Sequence, residues 1–213
     1  MSKARAKKIK LILFDVDGVL TDGTIWLFPT PAGVQQNAQT SQLAAAAGHA
    51  GFGVSSSNII EAKGFHAHDG TGISLAHLGG LKTGIITKRI SETVALRARD
   101  LKVHYVFQGQ ADKTIALDEI CSKEGITPKE IAYLGDDVID LPVMRRCGLA
   151  MAVANALDQV KAESHVITKR KGGDGAAREA IEYILRAQGS LKRAIDEYIA
   201  TRPAVQKRVN AAR

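Results

Sequence analysis

Asp15 and Asp17 stand two positions apart in LILFDVDGVLTDG, at the point where an apolar run ends in charge. A second acidic pair, Asp136 and Asp137, follows another apolar run in AYLGDD, with Asp140 close behind. Carboxylates crowded together repel one another unless a cation joins them, and a set made only of oxygen ligands suits Mg²⁺. Thr87 in GIITKR and Lys113 in GQADK add a hydroxyl and an ammonium. A metal site beside such groups suits a phosphoryl group.

Each piece taken alone has a plainer reading. Asp-Val-Asp-Gly is equally an Asx turn, and GDD is equally a strand-to-helix turn with an N-cap. Lys113 alone reads as a surface lysine. A calcium loop fails, because its fifth and twelfth positions would be Val19 and Trp26.

What joins the pieces is the order of elements around them. KLILFD, LKTGIIT, KVHYVF, EIAYLGDD and GLAMAV read as strands. Helical spacing fills the segments 72–81, 91–101, 112–124, 138–146 and 175–187. Strand and helix in turn imply a parallel sheet covered on both faces, an α/β fold. Ligands in such sheets bind beyond the carboxyl ends of the strands. There the chain delivers Asp15, Asp17, Thr87, Lys113, Asp136 and Asp137 to one edge.

Composition narrows the class. At 213 residues and 45% hydrophobic, the chain can bury one full core. No apolar run approaches the ~20 residues that cross a bilayer. The basic opening MSKARAKKIK leads into neither a secretory apolar region nor a cleavage site, so a soluble, intracellular protein is expected. Cys121 and Cys147 are too few and too isolated for a disulfide framework or a zinc site. The net charge of +7 sits at the ends: residues 1–10 carry five basic and no acidic residues, and residues 186–213 carry seven and two. Solvated tails or a subunit contact explain that as well as a phosphate backbone does, so nucleic acid is not the expected partner.

DVDGVLTDG, the threonine of GIITKR, the lysine of GQADK and GDDVIDLPVM resemble, in order and spacing, the four motifs of the haloacid dehalogenase superfamily of phosphatases. KGFHAHDGTGI, VFQGQADK and GGDGAAREAIEYIL are further similar to its 3-deoxy-D-manno-octulosonate 8-phosphate phosphatase subfamily, over about Lys10 to Gln188 with one insertion. The resemblance implies a Rossmann-like doubly wound parallel sheet in a single domain at 1–188. A β-hairpin flap at 24–65 stands in for a full cap domain, and a helical or disordered tail occupies 189–213. It also implies Mg²⁺-dependent hydrolysis of that sugar phosphate, in lipopolysaccharide precursor synthesis, by a cytoplasmic homotetramer.

In that family pattern Asp15 attacks phosphorus to give an aspartyl phosphate. Asp17 protonates the departing oxygen and then takes a proton from the hydrolytic water. The metal is held by Asp15, the Asp17 backbone carbonyl and Asp136. Thr87 and Lys113 hold the phosphoryl oxygens, while Asp137 and Asp140 orient the ligands. Arg89, Arg97, Arg178, His66, His68, Asp69 and Gly70 fall on the substrate side.

Other readings remain open at this level. A nine-carbon sugar acid phosphate could be the substrate, a catalytically silent subunit could bind phosphate and Mg²⁺ alone, or the basic termini could serve a nucleic-acid end phosphatase. HAHDG stands where the family carries Asn-Val-Arg-Asp-Gly, and Lys88 where it usually has glycine. His66 and His68, spaced by two, would share a strand face and line the pocket wall. KGGDGAARE either offers glycine amides and Arg178 to an anion or starts a helix capped by Asp174.

The residues 23–60 carry no formal charge, and TIWLF and NIIEAKGF would pair as the hairpin around them. The extra residues between would form a loose flap tip or an added subunit contact. In SLKRAIDEYIA, Leu191, Ile195, Tyr198 and Ile199 form one helical stripe that needs an apolar cover, first read as a neighbouring subunit. Beyond Pro203 the chain is expected to be disordered.

Overall fold

A computed structural model of the chain describes residues 2–29, 52–53 and 59–200. The first elements are helix α1 (Ser2–Ala6), strand β1 (Leu11–Phe14), β2 (Trp26–Pro29), β3 (Phe52–Gly53) and β4 (Ile59–Ala62). Helix α2 (Ala67–Leu78), β5 (Lys82–Ile86), β6 (Arg89–Ile90), α3 (Glu92–Asp100), β7 (Tyr105–Phe107) and α4 (Lys113–Glu124) follow. Then come β8 (Ile131–Gly135), α5 (Leu141–Arg146), β9 (Leu149–Ala152), α6 (Asp158–Ala162), β10 (Val166–Ile167) and α7 (Ala176–Gln188).

Six strands form one parallel sheet in the order β10-β9-β8-β1-β5-β7. Continuous apolar runs make its centre: LILF of β1, IAYLG of β8 and LAMA of β9 are buried at every position. Such runs fit strands covered on both faces. The chain moves outward from β1 through β5 to β7, then returns to β8 on the other side of β1. With right-handed crossovers, that reversal puts α2 and α3 on one face and α4, α5 and α6 on the other. It also opens a crevice beside the carboxyl end of β1.

The hairpin is present: β2 and β4 pair antiparallel, Trp26 opposite Ala62 and Phe28 opposite Ile60. Most of the insertion lies outside the described residues, so the two readings of its tip fall there. Phe52–Gly53 is the described part, and it pairs in parallel with β6.

Several expectations shift. Helix α2 begins five residues ahead of the expected 72–81, because His66 caps it: its Nδ1 accepts the His68 N–H at 3.2 Å. Gly70 and Gly72 are both buried packing points in this helix, where a Cβ on Gly72 would press on the Arg178 backbone. His66 and His68 therefore share a helix start and no strand face, with rings 4.8 Å apart edge to face. The segment 138–146 opens with a 3₁₀ turn, Val138–Asp140, before α5.

Neither end is a free tail where described. Helix α1 buries Ala6, and Tyr183 Oη donates to Ser2 Oγ at 2.8 Å. At the other end, residues 191–200 are helical, and Leu191, Ala194, Ile195 and Tyr198 pack on the chain's own core. The stripe thus has its apolar cover within the same chain, and Ile199 stays exposed. The segment beyond Pro203 lies outside the described residues.

Candidate active site

The carboxyl end of β1 delivers Asp15, which is buried and accepts the Val16 N–H at 2.7 Å. From the neighbouring β8, the Asp136 backbone N–H donates to Asp140 Oδ2 at 3.0 Å and that of Asp137 at 3.3 Å. Lys113 is the first residue of α4, and its ammonium is buried between Asp15 Oδ2 at 2.8 Å and Asp140 Oδ1 at 2.7 Å. Tyr133, inside β8, donates from its hydroxyl to Asp140 Oδ1 at 2.7 Å. Thr87 follows β5 directly and is buried, its N–H bonded to Phe107 O at 2.9 Å. Four segments distant in sequence thus meet at one edge.

One oxygen from each of Asp15, Asp136 and Asp140 lies within 4.8 Å of the others. Asp140 is already committed through both oxygens to Lys113, Tyr133 and two backbone N–H groups. Asp136 Oδ1, by contrast, is buried with no hydrogen-bond partner. An orphaned carboxylate oxygen beside the Asp15 carboxylate fits a hard divalent cation.

The electrostatics agree with that fit. Burial pushes the Asp15 carboxyl up to about 7, with Lys113 opposing and Asp140 reinforcing the rise. Asp136 is pushed up to about 8 by burial, then by the charges of Asp15, Asp140 and Asp137. Burial works against the Lys113 charge, but Asp15 and Asp140 more than offset it and hold the ammonium above its ordinary value. A cation placed among these carboxylates would relieve their repulsion.

Backbone shape brings the groups this close. Gly18 has φ +85°, and a Cβ there would overlap Asp136 Oδ2. Behind the same turn, Gly173 N–H donates to Val19 O at 3.1 Å and Gly172 N–H to Asn155 Oδ1 at 2.8 Å. The Gly173 amide of the KGGDG loop therefore braces the turn that follows β1.

Asp17 lies beside the cluster, under the hairpin's return strand. Its Oδ1 is ion-paired with Lys63, whose side chain is completely buried, and its Oδ2 is 3.8 Å from Arg89 Nε. Arg89 also meets Glu61 Oε2 at 3.0 Å.

The remaining substrate-side candidates separate into two groups. His66, Asp69, Gly70 and Arg97 line a narrow cavity with Leu20 and Phe65. Arg97 pairs with Asp100 at 3.0 Å and stacks over the Phe65 ring at 5.9 Å. His68 and Arg178 border an open groove with Lys169 and Arg170, where Arg178 Nε is bonded to Glu182.

Asp69 has a structural post. Its oxygens accept the N–H groups of Arg178 at 2.8 Å and Gly175 at 3.3 Å, at the start of α7. Burial raises its carboxyl, and those backbone bonds pull it partly back. Asp174 does not cap that helix, whose N-cap is Gly175 at φ 93°, and it lies 3.7 Å from His66 Nε2 instead.

Sequence reading missed Lys63, Glu61 and Tyr133. The two-residue spacing of Glu61, on β4, and Lys63, just past its end, was a usable sign that they share a face. Tyr133 offered one too, as a hydroxyl in an otherwise apolar central strand.

Residues 85–179 match the sequence profile of haloacid dehalogenase-like hydrolases. The chain is 35% identical over 191 residues to the 3-deoxy-D-manno-octulosonate 8-phosphate phosphatase of Escherichia coli K12, covering 90% of this chain and 87% of the relative. Among solved structures, the phosphatase of that name from Yersinia pestis superposes with a TM-score of 0.74 at 34% identity, over 90% of this chain and 88% of the other. The one from Moraxella catarrhalis, a complex with magnesium, phosphate and KDO, gives 0.73 at 36% identity, over 93% and 96%.

Proposed function

The chain belongs to the haloacid dehalogenase-like hydrolases, and from that premise we propose that it hydrolyses 3-deoxy-D-manno-octulosonate 8-phosphate to the free sugar acid and phosphate. The observation that carries this reading is the buried Lys113 ammonium joined to Asp15, beside the orphaned oxygen of Asp136. Asp15 and Asp136, with the Asp17 backbone carbonyl, would hold Mg²⁺. When bound, the cation supplies positive charge that offsets repulsion between an anionic nucleophile and an anionic phosphate.

The chain's own residues do the rest. Asp15 attacks phosphorus, forming an aspartyl phosphate and splitting one slow step into two. Asp17 gives its proton to the sugar oxygen as the P–O bond breaks, then takes one from the water that cleaves the intermediate. Thr87 and Lys113 hold phosphoryl oxygens, and Asp140 keeps Lys113 and the Asp136 backbone in register. Phosphate monoester hydrolysis requires accelerations up to ~10²¹-fold, far beyond the ~10²–10⁴ of a single acid or base, so these groups must act together.

A homotetramer in the cytoplasm, serving lipopolysaccharide precursor synthesis, completes the reading. Exposed Trp26, Leu27 and Phe28 on the hairpin support association, and no helix among the described residues is long and apolar enough to cross a membrane.

The test is phosphate release from the eight-carbon substrate beside a nine-carbon sugar acid phosphate and a 3′-phosphorylated oligonucleotide, with Mg²⁺ and with chelator. Preference for the first, lost on chelation and in a folded Asp15→Asn variant, is the expected result. Full activity of Asp15→Asn would overturn the phosphatase reading, and preference for the nine-carbon acid would transfer specificity to His66 and His68.

A further inference from the structure

The hairpin reaches into the site through one side chain. Lys63 follows directly on β4, and its ammonium is buried without solvent access, paired with Asp17 Oδ1 and 3.8 Å from Glu61 Oε1. Burying a lysine charge is costly unless a partner compensates it, so the position is specified by the carboxylates it meets. Glu61 ties the same strand down: its Oε1 accepts from Ser91 Oγ at 2.6 Å, its Oε2 from Arg89 at 3.0 Å, and its backbone carbonyl from Thr93 Oγ1 at 3.3 Å. Asp17, Lys63, Glu61 and Arg89 form a closed ring of two acids and two bases. Within it Arg89 spends its closer contact on Glu61, and Lys63 makes the closer contact with Asp17.

We propose that Lys63 is a positioning residue, an ammonium carried by the hairpin that fixes the Asp17 carboxyl group in the orientation from which it protonates the leaving oxygen. The proposal rests on the reading of Asp17 as the acid and base of the reaction. In the first step the Asp15–phosphorus bond forms, the phosphorus–oxygen bond to the sugar breaks, and the proton passes from Asp17 to that oxygen. Lys63 keeps its own protons throughout. Its contribution is to hold one Asp17 oxygen at short range, so that the other, whose contact with Arg89 Nε is a long 3.8 Å, is the one to serve the reacting bond. A carboxyl group free to rotate would spend less time in line, and small misplacements of a catalytic group are costly.

Leaving-group chemistry separates this role from a structural one. An alkoxide departing from a sugar phosphate needs a proton from Asp17, whereas p-nitrophenolate leaves without one. Lys63→Met is expected to lower kcat for the sugar phosphate about 10²-fold with KM changed less than about threefold. The pre-steady-state burst of p-nitrophenolate from p-nitrophenyl phosphate should keep its rate within about threefold. Lys63→Arg, which retains a charge at the end of the hairpin, should recover most of the lost kcat.

Equal losses on both substrates, or a rise in KM alone, would overturn the proposal in favour of a packing or phosphate-binding role. Unchanged kinetics in Lys63→Met would overturn it outright. Thermal melting of each variant identifies any loss that comes from unfolding. Full activity of Asp15→Asn is a separate result that removes the underlying phosphatase reading.

Discussion

Lys113 Nζ stands 2.7 Å from Asp140 Oδ1 at the base of the site, and both side chains are shut off from solvent. A buried pair of this kind is hard to break from one side, since the survivor keeps its desolvation cost without its partner. Asp140→Asn is expected to destabilise the protein by about 3 kcal/mol, at the lower end of the usual range because Asp15 still meets the ammonium. Lys113→Met strands two carboxylates and should cost at least as much. The double variant should lose clearly less than the sum, which urea unfolding of all four proteins would measure.

Gly18 lets the Asp136 carboxylate close on the turn after β1 by having no side chain. At φ +85°, with Asp136 Oδ2 where a Cβ would lie, alanine is strained in backbone and blocked in space. Gly18→Ala should reduce Mg²⁺-dependent turnover at least about 10²-fold, since a displacement of ~1 Å at a reacting centre has that effect. Raising the Mg²⁺ concentration should restore only part of it. Steady-state kinetics against Mg²⁺ concentration would check this.

Asp69 joins α2 to α7 across 109 positions of sequence, through the Arg178 N–H. Removing its carboxylate leaves two buried N–H groups at a helix start without acceptors, and Asp69→Ala is expected to cost about 2 kcal/mol. Turnover per folded molecule should change little, because Asp69 oxygens face the helix backbone. Denaturant unfolding beside kinetics at low temperature separates the two effects.

Legibility in the sequence followed how local each cause was. β1 and β8 could be read because continuous apolar runs ending in aspartate have one physical explanation in a two-faced sheet. The start of α2 lies five residues ahead of the expected 72–81 because its first turn rests on the His66 cap, and the close approach of Gly70 and Gly72 to Arg97 and Arg178 depends on partners elsewhere. Lys63 and Asp17 are 46 residues apart, and Lys113 and Asp140 are 27 apart. No spacing rule within one element reports such contacts. The tail stripe was legible as amphipathic, whereas what covers it depended on a surface that only folding assembles.

Asp15 and Asp136 also predict how the protein responds to metal and pH together. Their carboxyls stand at about 7 and about 8 in the metal-free fold, above the ordinary value of 3.8. Between those limits the folded state binds more protons than the unfolded chain, so stability falls as pH rises through the folded values. Metal-free protein should therefore melt lower at pH 8.5 than at pH 6.5. Mg²⁺ needs the ionised carboxylates, so it competes with protons at pH 6.5 and finds the site ready at pH 8.5.

At a concentration near 100 times its dissociation constant, a ligand stabilises by about 2.7 kcal/mol, or roughly 5–10 °C for a chain of this size. The Mg²⁺-induced rise should approach that at pH 8.5 and be clearly smaller at pH 6.5. His77, lowered to about 4 by burial and then by His104 and Lys102, works in the opposite direction, but most of its effect lies below its ordinary 6.5, so in this window it offsets only a small part of the fall. In Asp136→Asn the highest-titrating carboxyl is gone, and both the pH slope of the metal-free melt and the Mg²⁺ increment should shrink. Melting curves at the two pH values, with Mg²⁺ and with chelator, would measure all four quantities. An increment that is equal at both pH values would show that the cation does not displace protons from these two carboxylates.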